Sequence, residues 1–126
     1  MDGGIPELVD QRIDPHRISR EIEQAGTAWA DHAHAASLLE KTEDIVLSTL
    51  ILAMRLGPDG KRVSWEEARH QAKASEDYQS HVYAMTEARY KANKARVRFD
   101  AMKAKFEAMR TAESTRRAEL ITLGRQ

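Results

Sequence analysis

Residues 75–123 read SEDYQSHVYAMTEARYKANKARVRFDAMKAKFEAMRTAESTRRAELITL and contain neither Pro nor Gly. Apolar and small side chains recur along this stretch in steps that alternate between four and three residues: Ala88, Ala92, Ala95, Phe99, Met102, Phe106 and Met109. This heptad pattern is typical of a helix that packs lengthwise against another helix. A continuous helix of this length measures about 73 Å, so we expect an elongated, all-α protein.

A second long helix is predicted before this stretch. Asp14-Pro15 provides an N-cap acceptor followed by Pro at the first helical position, and Gly57-Pro58-Asp59-Gly60 ends the helix after Leu56. Its seam is Ile18, Ile22, Ala25, Trp29, Ala36, Leu39, Val46, Leu50 and Ala53, with His32 and Glu43 as polar members. The sequence therefore predicts an antiparallel helical hairpin or coiled coil over residues 14–126, preceded by a flexible N-terminal arm over residues 1–13.

Two capping signals follow the turn. Ser64-Trp65-Glu66-Glu67 has the spacing of a capping box, in which Ser64 and Glu67 each bond the backbone N–H of the other. Ser75-Glu76-Asp77 is a further helix start, which predicts a break near Ala74.

The two long helices differ in length, and this predicts self-association. Folded back from the turn, the second helix extends about 18 residues beyond the first, about 27 Å, near residues 106–123. Its apolar side chains there have no partner in the same chain. We expect a dimer or higher homo-oligomer formed through Ala92, Ala95, Phe99, Met102, Phe106, Met109, Leu120 and Leu123.

Composition excludes several classes of protein. The chain has no cysteine, which removes disulfides and thiolate chemistry, and aromatic residues make up only 6%. The longest largely apolar run, Ile45–Met54, is too short to span a bilayer, and no secretory signal is evident. We expect a cytoplasmic protein without membrane contact.

Candidate metal and catalytic residues are few. Asp31 and His34, like Glu67 and His70, have the spacing of a helical carboxylate–imidazole pair, but no further carboxylates complete a di-iron site. Asp77 and His81 are spaced to pair on a helix surface. No nucleophile or phosphate-loop motif is present, so we predict no metal, no cofactor and no enzymatic activity.

Charge is divided unevenly along a chain whose net charge is zero. Residues 1–60 carry eleven acidic and five basic side chains, whereas residues 87–117 carry four acidic and ten basic ones. The two halves either neutralise each other across the hairpin or leave a basic helix for nucleic acid. The candidate nucleic-acid contacts are Arg89, Lys91, Lys94, Arg98, Lys103 and Lys105.

Three segments resemble a group of small helical proteins encoded by bacteriophages and prophages: AWAD…SLLE at 28–40, AKASEDY at 72–78 and ESTRRAE at 113–119. The resemblance implies a phage setting and carries over no functional residues. We therefore expect a non-enzymatic accessory protein that binds nucleic acid during recombination or replication. The alternatives are an inhibitor or adaptor that binds a host defence complex, such as an anti-CRISPR protein, and a purely structural coiled coil.

Overall fold

The computed structural model describes residues 14–125, so the predicted arm at 1–13 lies outside the described residues. Three helices follow in order: α1 (Pro15–Met54, 40 residues), α2 (Trp65–Ala74, 10 residues) and α3 (Glu76–Gly124, 49 residues). The two long helices pack antiparallel in a hairpin-like arrangement with a short middle helix. The predicted all-α helical hairpin is confirmed at this level. Within the described residues, none of the helices is long and apolar enough to cross a membrane.

The start of α1 and its end follow from local bonds. The Asp14 carboxylate accepts hydrogen bonds from the backbone N–H groups of His16 and Arg17, as expected for an N-cap. At the other end the helix stops at Met54, two residues earlier than predicted. The reason lies in the connection, where the carbonyl of Arg55 accepts from the Val63 N–H at 2.8 Å and its guanidinium donates to the Val63 carbonyl.

The predicted break near Ala74 is confirmed, and one serine produces it. Ser75 has an extended backbone with φ −68° and ψ 150°. Its hydroxyl donates to the Ala72 carbonyl at 2.5 Å and accepts from the Tyr78 N–H at 3.2 Å. The same side chain therefore closes α2 and caps α3.

The predicted capping box at α2 is only half formed. The Ser64 hydroxyl accepts from the Glu67 N–H at 3.0 Å. The Glu67 side chain does not return a bond to Ser64 and instead accepts from the Gln71 amide at 3.1 Å. Glu67 therefore pairs with Gln71, four residues later on the same helix, and not with the backbone N–H of Ser64.

The chain divides into two compact units. Within the described residues, unit 1 contains residues 14–28 and 96–125, and unit 2 contains residues 29–95. The buried residues of the described chain all lie in unit 2: Ala36, Leu47, Ala68, Ala72 and Ala92. Four of these five are alanines, which lets the three helices of unit 2 approach closely.

Unit 1 is packed differently. None of its described residues is fully buried, and its half-buried apolar side chains include Ile18, Ile22, Phe99, Met102 and Phe106. A Cβ placed on Gly26 would lie 3.0 Å from Cε1 of Phe99. Gly26 lies within the continuous helix α1 and gives room to this aromatic ring.

The predicted seam of α1 needs two corrections. His32 and Ala53 are exposed, whereas Ala33 and Met54 are half-buried. An α-helix has 3.6 residues per turn, so a strict 3.5-residue pattern drifts around it by about 20° per heptad. Over 40 residues this drift moves the inward-facing position by one residue.

Candidate nucleic-acid interface

The basic side chains of α3 occupy both positions that flank its seam. One flanking line recurs every seven residues at Arg89, Arg96, Lys103 and Arg110, and the other recurs at Lys91, Arg98 and Lys105. Positions seven apart lie on the same side of a helix, about 10.5 Å apart along its axis. Five of the six predicted contacts therefore divide between two sides of α3, and Lys94 lies beside the second line, one helical turn from Lys91 and Arg98.

Arg89 is engaged in an ion pair. In unit 2 its Nε and Nη2 atoms donate to the two carboxylate oxygens of Glu40 at 2.9 and 2.6 Å, and Nη2 also lies 3.5 Å from the Ser37 hydroxyl. The hydrogen bond from the Arg89 guanidinium lowers the pKa of Glu40 below its ordinary value, the positive charge adds to this effect, and partial desolvation opposes it. The pKa of Arg89 is raised by the same bond. These contacts use most of the N–H groups of the Arg89 guanidinium, so few of them remain to bind a phosphate.

The remaining predicted contacts of unit 2 are exposed. Lys91 and Lys94 make no ion pair within the described residues, and the Lys94 ammonium lies 5.3 Å from the centroid of the Tyr90 ring. This is the distance of a cation–π contact.

Unit 1 contains the other three predicted contacts. Arg98, Lys103 and Lys105 are all exposed, and the Lys103 ammonium lies 5.2 Å from the centroid of the Phe99 ring. The ion pairs among the described residues of this unit are within one helix, namely Arg17 with Glu21, and Arg116 and Arg117 with Glu113. Arg98 and Lys105 therefore keep their charge without a carboxylate partner in the described part of unit 1.

In unit 1, the two basic lines of α3 differ in their acidic neighbours along the helix. Acidic residues lie three or four positions from Lys103 and four positions from Arg96, namely Asp100 and Glu107. The positions three and four away from Arg98 and Lys105 contain no acidic residue. The positive potential is consequently stronger on the side of Arg98 and Lys105.

The acidic α1 and the basic α3 neutralise each other at few positions. The charge division predicts either that the acidic α1 neutralises the basic α3 or that α3 stays available to nucleic acid. Among the described residues, Glu40–Arg89 is the single ion pair between α1 and α3. Most basic side chains of α3 are therefore available to another molecule.

The predicted self-association seam is divided by burial. Ala92 is buried in unit 2, where Ala95 is half-buried. In unit 1, Phe99, Met102, Phe106 and Met109 are half-buried, while Leu120 and Leu123 are 59% and 64% exposed. The uncovered part of α3 therefore begins after Glu113, later than the predicted start near Phe106.

The candidate metal ligands are exposed on two different helices. Asp31 and His34 are exposed on α1, and Glu67 and His70 are exposed on α2. Within residues 14–125, no three His, Asp or Glu side chains are placed to hold a metal ion. His81 does not pair with Asp77, because its Nε2–H donates to the Leu39 carbonyl of α1 at 2.9 Å.

Two exposed surfaces were missed by the sequence reading. Tyr83 and Tyr90 project from α3 in unit 2, 70% and 57% exposed, and the Lys94 ammonium lies near the second ring. The outer side of α1 in the same unit presents Leu38, Ile45 and Leu52, also exposed and seven residues apart. Regular seven-residue spacing outside the main seam was the available signal for both.

Comparison of the chain with protein-family models, with curated proteins and with solved structures found no match.

Proposed function

We propose that the protein acts by binding nucleic acid without sequence specificity, as an accessory factor in phage DNA recombination or replication. The observation that carries this proposal is the state of Arg98 and Lys105 in unit 1. Both are exposed, neither has an ion pair among the described residues, and neither has an acidic neighbour one helical turn away.

The spacing of these two cations suits a phosphate backbone. They lie on one side of a rigid helix, about 10.5 Å apart, and each long side chain can reach over several ångströms to adjust to a phosphate. Each phosphate that is neutralised releases condensed counterions, so the affinity comes from charge and falls with salt. Contacts to phosphates position a protein but do not read bases, which is why we propose no sequence preference.

The pair Arg96 and Lys103, on the other basic line, provides a matched control. Arg96 and Lys103 have the same net charge and the same seven-residue spacing as Arg98 and Lys105, but Asp100 and Glu107 lie next to them on the helix. Replacing either pair changes the net charge equally. Of these two pairs in unit 1, Arg98–Lys105 is the one proposed to contact phosphate.

The test is a titration of a fluorescein-labelled oligonucleotide, followed by anisotropy at low salt. The wild-type protein is expected to bind, and R98Q/K105Q is expected to bind substantially more weakly than the control variant R96Q/K103Q. No anisotropy change with wild-type protein would refute the proposed function. Equal losses in the two variants would show that overall charge, and not this pair, provides the affinity.

A second candidate function, self-association, is supported by the outer side of α1. Leu38, Ile45 and Leu52 are exposed, and Thr42 and Thr49 lie between them in steps of four and three residues. The two threonine hydroxyls donate to the carbonyls of Leu38 and Ile45 at 3.0 and 2.8 Å, so their methyl groups can be buried without an unsatisfied donor. We propose that this surface pairs with the same surface of a second copy, as in a coiled coil.

The small area of this surface limits the affinity of the proposed dimer. Stable interfaces bury about 800 Å² per partner, and five residues on one helix provide less, so the dimer is expected to depend on concentration. Light scattering over a concentration series should show association that I45E abolishes and the control S80E on α3 retains. A monomer at all concentrations would refute this candidate and leave nucleic-acid binding unaffected.

A further inference from the structure

A line of aromatic and charged side chains runs along the outer side of α3 in unit 2. Tyr83, Glu87, Tyr90 and Lys94 follow one another in steps of four, three and four residues, and Lys91 lies beside them. The two rings are 70% and 57% exposed. Neither phenol group makes a hydrogen bond within the described residues.

These tyrosines contribute little to the core of the unit. The core consists of four alanines and Leu47, and the third tyrosine, Tyr78, is half-buried. A single exposed aromatic residue needs no explanation. Two exposed rings on one side of a helix, with the unpaired Lys91 and Lys94 beside the second ring, form a combination that binds unstacked bases and their phosphates.

We propose that Tyr83, Tyr90, Lys91 and Lys94 bind single-stranded nucleic acid, with bases stacked on the two rings and the ammonium groups on the phosphates. The inference rests on the proposed function for its electrostatic part and names the class of nucleic acid. A duplex keeps the faces of its bases stacked on each other and presents only their edges in the grooves. Stacking on a protein ring therefore requires unpaired bases.

The geometry also suggests how the strand lies. The two rings are about 10.5 Å apart along the helix axis, far more than the stacking distance of about 3.4 Å within one strand of a duplex. The bases on the two rings are therefore not adjacent stacked neighbours, and the strand between them is extended. Lys94, 5.3 Å from the Tyr90 ring centroid, is placed to bind a phosphate close to a base stacked on that ring.

Glu87 opposes this arrangement and provides a test of it. It lies between the two tyrosines on the same side of α3, is half-buried, and has no ion-pair partner in the described chain. A carboxylate there repels a phosphate backbone. Replacing Glu87 with Gln should therefore tighten single-strand binding, and unchanged or weaker binding would contradict the placement of the strand.

The main experiment compares equal-length oligo(dT), oligo(U) and a duplex by anisotropy at one low salt concentration. Wild-type protein should bind the single strands more tightly than the duplex, and the two single strands distinguish a DNA partner from an RNA partner. Y83A/Y90A should weaken single-strand binding by about 5- to 100-fold per ring and leave duplex binding unchanged. Y83F/Y90F should bind like wild type, because the ring is kept.

The control variant is L56A, which removes an exposed apolar side chain from the connection between α1 and α2 in the same unit. It should bind all three ligands like wild type. If Y83A/Y90A binds single strands as tightly as wild type, the inference fails while the proposed function stands. If wild-type protein binds no nucleic acid, both fail.

A second measurement uses the unmodified protein. Stacking of a base shifts the NMR ring-proton resonances of the tyrosine beneath it, so oligo(dT) should shift those of Tyr83 and Tyr90 more than those of Tyr78. Equal shifts for all three tyrosines, or none on saturation with oligo(dT), would overturn the inference without any variant.

Discussion

Arg89 donates two hydrogen bonds to the carboxylate of Glu40, at 2.9 and 2.6 Å, across 49 residues of sequence. This bidentate arrangement fixes the register of α3 against α1 in unit 2. Among the described residues, this is the one ion pair that joins α1 to α3, so α1 does not neutralise the other basic side chains of α3.

The pair predicts a stability that depends on pH. The Arg89 hydrogen bond lowers the pKa of Glu40 in the folded protein below its ordinary value of about 4.5. A lowered carboxyl pKa contributes stability above the unfolded-state pKa, and this contribution is lost as the pH falls through the folded-state pKa. Glu40→Gln should therefore lower the melting temperature near neutral pH, and the difference from wild type should shrink in acid, below about pH 4.5.

Thermal unfolding followed by circular dichroism across pH measures this difference. Glu23→Gln is the control, because Glu23 is exposed on α1 and has no ion pair in the described chain. A constant difference between wild type and Glu40→Gln at all pH values would contradict an ionic origin.

Gly26 and Phe99 make a second testable contact. Replacing a helical Gly with Ala should stabilise a helix by about 1 kcal/mol, but the added Cβ would lie 3.0 Å from the Phe99 ring. We expect Gly26→Ala to stabilise the wild-type protein by less than that amount, and Gly26→Leu to destabilise it by about 1–3 kcal/mol. In a Phe99→Ala background, Gly26→Ala should show the whole gain.

Urea unfolding of the four proteins in this cycle gives the coupling energy between the two positions. Ala28→Leu is the control, because Ala28 is exposed on α1 in the same unit. An equal effect of Gly26→Ala in both backgrounds would show that the glycine is not there to accommodate the ring.

Because the buried residues of unit 2 are mostly alanines, we expect the stability of the protein to fall when a larger side chain replaces one of them. Ala36 is fully buried, whereas its neighbour Ala35 is exposed on the same helix. Ala36→Leu should destabilise the protein by about 1–3 kcal/mol, because the closely packed helices must separate to admit the larger side chain. Ala35→Leu should change the stability by about 0.5 kcal/mol at most. Equal unfolding midpoints for the two variants in urea would contradict close helix packing at Ala36.

Much of the fold could be predicted because its signals are local. The Gly57-Pro58-Asp59-Gly60 turn and the Ser75 start of α3 act through backbone geometry and capping, which neighbouring residues determine. The alternation of four and three residues from Ala88 to Met109 likewise identified side chains that are buried or half-buried. These features require no knowledge of the tertiary arrangement.

The remaining features depend on contacts between distant parts of the chain. Leu47 is buried while Ile45 is exposed, although both belong to one apolar run in which periodicity does not identify the inner side. His81 bonds the Leu39 carbonyl and not Asp77, because α1 lies nearby in unit 2. Tyr83 and Tyr90 lie on the outer side of α3, away from the seam, so the seam pattern does not include them.

The salt dependence of nucleic-acid binding tests the central claim most directly. If Arg98 and Lys105 each neutralise a phosphate, the slope of log K against log salt concentration should become less negative by about 1.4 for single strands in R98Q/K105Q, or about 1.8 for duplex. The control R96Q/K103Q should keep the wild-type slope. An unchanged slope in R98Q/K105Q would contradict the assignment of these two side chains as the phosphate contacts.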